Sequence, residues 1–233
     1  MISFIVPAHN EEAWIGRCVS AIRGGVESLD EPHEIIVVDD ASSDATARIA
    51  REQIAQVVRV EHRQIAATRN AGARQARGDI LFFVDADTLV NAPVIQSALR
   101  SIRAGAIGGG CVPHFEGWLP WWWRLTLSVG EPICRWLHFL PSGACLFCTR
   151  SAFQTVGGFD ENYYATEELA FVAALKRLGL FVILTETVVS SGRKYRAHSL
   201  LAFIRLSTRL ALRGSRSREG LEYWYKPERE KMK

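Results

Sequence analysis

Residues 80–87 read Ile80-Leu81-Phe82-Phe83-Val84-Asp85-Ala86-Asp87, five apolar residues running straight into two acids. A short, unbroken apolar run fits a strand buried on both faces. Side chains alternate along extended chain, so Asp85 and Asp87 can point to one side. The same pattern recurs twice upstream. Glu34–Val38 (EIIVV) leads into Asp39, Asp40 and Asp44, and Ser3–Val6 leads into Pro7-Ala8-His9-Asn10-Glu11-Glu12. Helical stretches separate these runs. Trp14–Ile22 is periodic and should stop near Gly24-Gly25. Ser43 or Asp44 can cap a helix through Arg51. Ala66–Arg77 is alanine-rich and closed by Gly78. Pro93–Arg103 carries its proline in the first turn. Val57–Val60 and Ala106–Val112 read as further strands. Alternating strands and helices predict an α/β fold, with a mostly parallel central sheet and helices on both faces.

The second half is less regular. Ser142–Thr149, Phe181–Leu184 and Thr187–Val189 are strand candidates, and Thr166–Leu178 is a helix ended by Gly179. The chain has 233 residues, 48% of them hydrophobic and 23% charged, which suffices for one domain with a real core. Neither a membrane span nor a signal peptide is expected. Five irregularly spaced cysteines (Cys18, Cys111, Cys134, Cys145, Cys148) predict buried thiols in a reducing, cytoplasmic setting rather than a disulfide framework. Cys145-x-x-Cys148 lacks the second pair that a zinc site needs.

In open parallel sheets, ligands bind beyond the carboxyl ends of the strands. Here that rim is acidic. No G-x-G-x-x-G follows the first strand and no G-x-x-x-x-G-K-[ST] occurs, so neither the usual dinucleotide loop nor a P-loop is present. Carboxylates repel phosphate unless a cation lies between them. The Asp85-x-Asp87 pair supplies two hard oxygen ligands, suited to Mg²⁺ or Mn²⁺ shared with a substrate diphosphate. Asp39 or Asp40 could accept a base-edge N–H, and Glu11 a ribose or base hydrogen bond. For Asp40 and Asp44, helix capping is the competing role, and it is the favoured one for Asp44.

Taken together, PAHNEE (7–12), VVDDASSD (37–44), ATRNAGARQARGDILFFVDADT (67–88) and GGFDENYYATEELAF (157–171) resemble the family 2 glycosyltransferases, over about residues 2–195. The resemblance implies the GT-A fold and an inverting, non-processive transferase using a nucleotide-diphospho-sugar, UDP- or GDP-linked. It implies that Pro7, Glu11 and Asp39, with Asp40, hold the nucleoside, that Asp85 lies near the ribose and metal, and that Asp87 ligates the metal. Arg69, Asn70 and Gly72 match the A-R-N-x-G helix that lines the nucleotide site. The family's catalytic base is an Asp on a late helix. Thr166-Glu167-Glu168 occupies its place, so Glu168 is the expected base and Glu167 the alternative. Gly143, after Ser142, would let the donor sugar approach the backbone, and Asp160 would meet a sugar hydroxyl or cap a turn. Arg193, in the basic Arg193-Lys194-Tyr195-Arg196 cluster, would offset charge on the departing diphosphate. A Q-x-x-R-W motif is absent. His198 would be a further metal ligand or a helix cap. Two other readings stay open: a catalytically weak sugar-nucleotide or glycan-binding relative, and a sugar nucleotidyltransferase. The second expects a Gly-rich loop where PAHNEE stands.

From Arg193 to Lys233 the chain carries 12 Lys and Arg against 4 Asp and Glu, on an otherwise acidic body. Trp118, Trp121, Trp122, Trp123 and Trp136 cluster, and His198–Arg213 reads as a basic amphipathic helix. The expected division is a catalytic domain over 1–197 and a basic helix with tail over 198–233. The expected partners are the sugar nucleotide, a hydroxyl acceptor that is lipid-linked or otherwise amphipathic, and the inner face of a membrane as a peripheral contact. Nucleic acid is not expected, since it leaves the acidic rims unexplained.

Overall fold

The computed structural model describes residues 1–126, 128, 143–193, 196, 200–202, 205, 208, 209, 215 and 216. Cys134, Trp136, Ser142, Lys194, Tyr195, His198 and most of the basic helix and tail lie outside these residues.

Four strands form the parallel half of a seven-stranded sheet: β1 (Ile2–Ala8), β2 (His33–Asp40), β3 (Gln56–Val60) and β4 (Ile80–Val84). The sheet continues through β6 (Gly108–Gly110), β8 (Cys145–Thr149) and β9 (Phe181–Ile183), in the order β3-β2-β1-β4-β8-β6-β9. β8 runs against both neighbours, while β9 is parallel to β6. A small second sheet joins β5 (Thr88–Leu89), β7 (Pro113–Glu116) and β10 (Val188–Ser191), with β10 in the middle. It draws the late chain to the segment just after Asp87.

Strand alternation divides the core. Phe82 and Val84 join Phe4, Val6 and Phe147 on one face, while Leu81 and Phe83 join Ile5, Ile36 and Val38 on the other. Burying each such side chain is worth about 1.5–3 kcal/mol. On the first face lie α1 (Ile15–Glu27) and α4 (Ala92–Arg103), through Ile15, Val19, Ile22, Val94 and Ile95. α1 passes the expected stop at Gly24-Gly25 because Ile22, Gly25 and Val26 continue one buried stripe. α2 (Thr46–Glu52) packs beside it through Ala50. The other face carries α3 (Ile65–Gln75), α5 (Arg150–Val156) and α6 (Glu167–Leu178). Phe83 meets Phe159 edge-on at 4.9 Å, and Phe159 stacks on Phe171 of α6 at 4.1 Å. This cluster fixes the start of α6 relative to the end of β4.

Cys145 and Cys148 belong to opposite faces of the sheet, so one ion cannot bind both. Burial raises the Cys18 and Cys148 thiols, and the Cys145 thiol rises through its contact with Cys111 and then through burial.

Candidate active site

Loops at the carboxyl ends of the parallel strands hold their side chains with strained backbone. Asn10 (φ 54°), Ala41 (φ 53°), Arg63 (φ 49°) and Thr166 (φ 58°) all take left-handed conformations. For a β-branched residue such as Thr166 this is unusual, and such strain gathers at functional sites. Thr166 is the residue at which the chain enters α6, directly before Glu167 and Glu168. Its hydroxyl meets that of Ser215 at 2.7 Å.

The two acids ending β2 part company. Asp40 accepts from the backbone N–H of Arg63 (2.9 Å) and Gln64 (3.2 Å) and from the Thr68 hydroxyl (2.8 Å). Its carboxylate therefore holds the entrance to α3, as a helix cap would. Asp44, two residues before α2 begins, accepts from Thr46 N at 2.9 Å. Asp39 is fully buried, takes Ser42 N at 3.2 Å and pairs with Arg59 Nε at 3.1 Å. Arg59 ends no motif. It lies directly across from Asp39 in the β2–β3 register, and aligning the two strands from sequence would have found it. Pro7 is buried within β1, opposite Val38.

The end of β4 is the meeting point of two charge-linked groups. On one side, Arg193 pairs with Glu11 and approaches Asp87 Oδ2 at 3.3 Å. Ser191 N donates to the Asp87 carbonyl at 3.1 Å, which holds β10 against this turn. Glu11, Asp87 and Arg193, 182 residues apart at the extremes, are thus brought together. On the other side, the Arg69 guanidinium donates to Asp85 Oδ1 (2.9 Å) and to Glu167 Oε1 (2.7 Å). Its side chain is 2% exposed, and its Nε finds no partner among the described residues. Burial opposes its charge, but Asp85, Glu167 and Glu168 hold the guanidinium above its usual pKa.

Arg69 therefore joins the β4 turn to α6 through Asp85 and Glu167. Its neighbours in the A-R-N-x-G stretch are also structural. Asn70 donates to the Phe159 carbonyl at 2.8 Å and accepts from Phe159 N at 3.0 Å. Gly72 lets α3 lie on the sheet, since a Cβ there would stand 2.5 Å from Ile5 Cγ2 and 2.8 Å from Val38 Cγ2.

Glu167 and Glu168 separate cleanly. Glu167 is 3% exposed and pairs with Arg69. Glu168 is only partly buried. Burial, and then the charge of Glu167, push its carboxyl up to about 8 against the pull of Arg69. Gly143 packs on both groups: a Cβ there would lie 3.2 Å from Arg69 Nη2 and 3.2 Å from Glu168 Cβ and Cγ. Gly143→Ala should therefore displace Glu168 and lower turnover by roughly tenfold, since small misplacements of a reacting group are costly. Steady-state kinetics with an unchanged melting temperature would check this. Asp160 accepts from Asn162 N at 2.9 Å, a turn cap, and lies 3.9 Å from Arg216.

No group of three His, Cys, Asp or Glu with metal-ligand geometry occurs among the described residues. Asp85 and Asp87 fit a divalent cation only as part of a set completed by a substrate. They are two hard carboxylates on one turn, matching an ion shared with a diphosphate rather than a closed structural site. Arg59, Arg63 and Arg193 add positive charge around the same rim.

A profile described as Glycosyl transferase family 2 matches residues 3–157, more than half of the chain. Validoxylamine A glucosyltransferase of Streptomyces hygroscopicus subsp. jinggangensis (strain 5008) is 25% identical over 205 residues, 70% of this chain and 48% of that one. Undecaprenyl-phosphate 4-deoxy-4-formamido-L-arabinose transferase of Pseudomonas fluorescens (strain Pf0-1) is 32% identical over 100 residues, 40% of this chain and 29% of that one. The chain spans less than half the length of these curated relatives. Mannosyltransferase PcManGT from Pyrobaculum calidifontis, solved in complex with GDP-Man and Mn²⁺, superposes with a TM-score of 0.66 at 20% identity, over 89% of this chain and 64% of that one. With the acidic strand ends gathered on one rim of a mostly parallel sheet, this chain belongs to glycosyl transferase family 2 and has the GT-A fold.

Proposed function

We propose that the protein transfers one sugar from a UDP- or GDP-linked donor to an acceptor hydroxyl with inversion, Glu168 acting as base. The observation that carries this reading is the division of labour across Arg69. Glu167 is tied down by it, and Glu168 keeps a raised proton affinity beside the β4 turn. Asp39 receives the nucleobase edge and Glu11 the nucleoside. Asp85 and Asp87 would hold Mg²⁺ or Mn²⁺, which when bound neutralises charge on the diphosphate as a Lewis acid. Arg193 exchanges its carboxylate partners for the donor's phosphate oxygens. Glu168 orients the acceptor O–H and takes its proton as the oxygen forms its bond to the anomeric carbon and the bond to the diphosphate breaks. Attack opposite the leaving group inverts the centre.

The chain's similarity to an undecaprenyl-phosphate transferase supports a lipid-linked acceptor; our reading adds the inner face of a membrane as the meeting place, 1–197 as the catalytic unit and 198–233 as a basic peripheral element. No helix among the described residues is long and apolar enough to cross a membrane.

The test is a screen of α-linked UDP- and GDP-sugars with Mn²⁺ and a panel of acceptors, reading the product anomer by NMR. A β-linked product is expected, and an α-linked one contradicts the reading. Asp39→Asn should weaken donor nucleoside binding by about tenfold or more, because it removes a charged acceptor. Titration with free UDP and GDP would show it.

A further inference from the structure

Among the described residues, Trp118, Trp121 and Leu125 are 69%, 73% and 59% exposed. They are not the tip of a loose loop. The chain turns into helix at 121–126, Pro120 and Trp123 face inward, and Trp122 meets Trp123 edge-on at 5.6 Å. The exposed rings are thus held outward by a buried neighbour in the same turn. Arg124 is exposed beside them, and residues 117–126 contain no acid.

A second segment lies against this one. Arg196 Nη1 donates to the carbonyl of Glu116 at 3.0 Å and reaches that of Trp118 at 3.5 Å. Beyond it, Leu200 and Leu201 are 40% and 56% exposed, and Arg205 is exposed. Between Arg193 and Arg218 the sequence has eight Lys and Arg and no Asp or Glu. Tryptophan prefers the membrane–water boundary, and basic residues attract anionic headgroups, each contributing about fivefold in binding near the surface. The patch is also next to the cleft. It follows β7, which pairs with β10, and β10 delivers Arg193 to Glu11 and Asp87.

We propose that Trp118, Trp121 and Leu125, with Arg124, Arg196 and Arg205, form a docking surface for an anionic lipid bilayer. The surface turns the cleft toward an acceptor carried in that bilayer. This second part rests on the transfer reading above, whereas docking itself does not.

Flotation of the full chain with vesicles of phosphatidylglycerol and phosphatidylcholine, against phosphatidylcholine alone, tests it. The wild type should float with the anionic vesicles. The W118S/W121S/L125S variant should bind roughly tenfold or more weakly, because the apolar contribution is lost, while its affinity for a sugar nucleotide stays unchanged. Arg205→Gln should weaken binding at low salt and matter less at high salt. In the wild type, brominated lipid should quench tryptophan fluorescence, a reading that needs no variant. Wild-type protein that stays in solution, or a triple variant that floats as well as wild type, overturns the proposal. So does a wild-type dimer that the variant splits without any vesicle binding, since the patch would then join two copies of the chain. Vesicle binding without sugar transfer would leave docking standing and remove only the transfer reading.

Discussion

Glu168→Gln is expected to lower kcat by about 10²–10⁴-fold, the usual worth of a positioned general base. The donor's dissociation constant should stay unchanged, because Gln fills the same space. The pH profile should move with it. The Glu168 carboxyl is pushed up to about 8 by burial and then by Glu167. It carries its proton below that pH and cannot accept another. In the wild type, kcat/KM should therefore climb as pH rises toward 8 and then level off, and the variant should lose this limb. The same group makes a stability prediction of opposite sign to the usual carboxylate. Its proton is held more tightly in the folded chain than in the unfolded one, so the folded state is weakened as pH rises from 4.5 to about 8. Glu168→Gln removes that loss. The variant should melt above wild type at pH 8, and the difference should close near pH 4, as differential scanning calorimetry would show. Equal turnover in wild type and variant would take Glu168 out of the base role.

Arg69→Met should have the largest effect on stability. It strips the cation from Glu167, which is 3% exposed, and from Asp85. Breaking a buried pair from one side costs about 3–5 kcal/mol, a fall in melting temperature of about 10 °C for a chain of this size. Removing both buried charges, in Arg69→Met with Glu167→Gln, should recover part of that loss. A double-mutant cycle on melting temperature measures the coupling. Additive losses would show that Arg69 and Glu167 do not depend on each other.

β1, β2 and β4 were legible because they are buried on both faces and therefore largely apolar, as in EIIVV and ILFFV. The two short strands that flank β10 were not. β5 and β7 have two and four residues, too short to show a period, and they exist because β10 pairs between them. α5 was missed for a similar reason. Seven residues capped by Thr149 carry a single fully buried side chain, Ala152. Residue type and strand-end position brought out Asp39, Asp85 and Asp87 as candidates, and the family resemblance brought out Glu168. They could not tell which partner each acid of an adjacent pair finds. Asp39 against Asp40, and Glu168 against Glu167, differ in which partner reaches them across the fold. Those partners, Arg59, the α3 entrance and Arg69, are set by tertiary contacts. Arg69 shows the limit most clearly: its partners Asp85 and Glu167 lie 16 and 98 residues away in the sequence.

Calorimetric titration of the wild type and of Asp87→Asn with UDP- and GDP-sugars, with Mn²⁺ and with chelator, tests the central claim most directly. One sugar nucleotide should bind the wild type with Mn²⁺ present, and that binding should collapse with chelator and in Asp87→Asn. Failure of every sugar nucleotide to bind under any of these conditions, or binding indifferent to both the ion and Asp87, would contradict it.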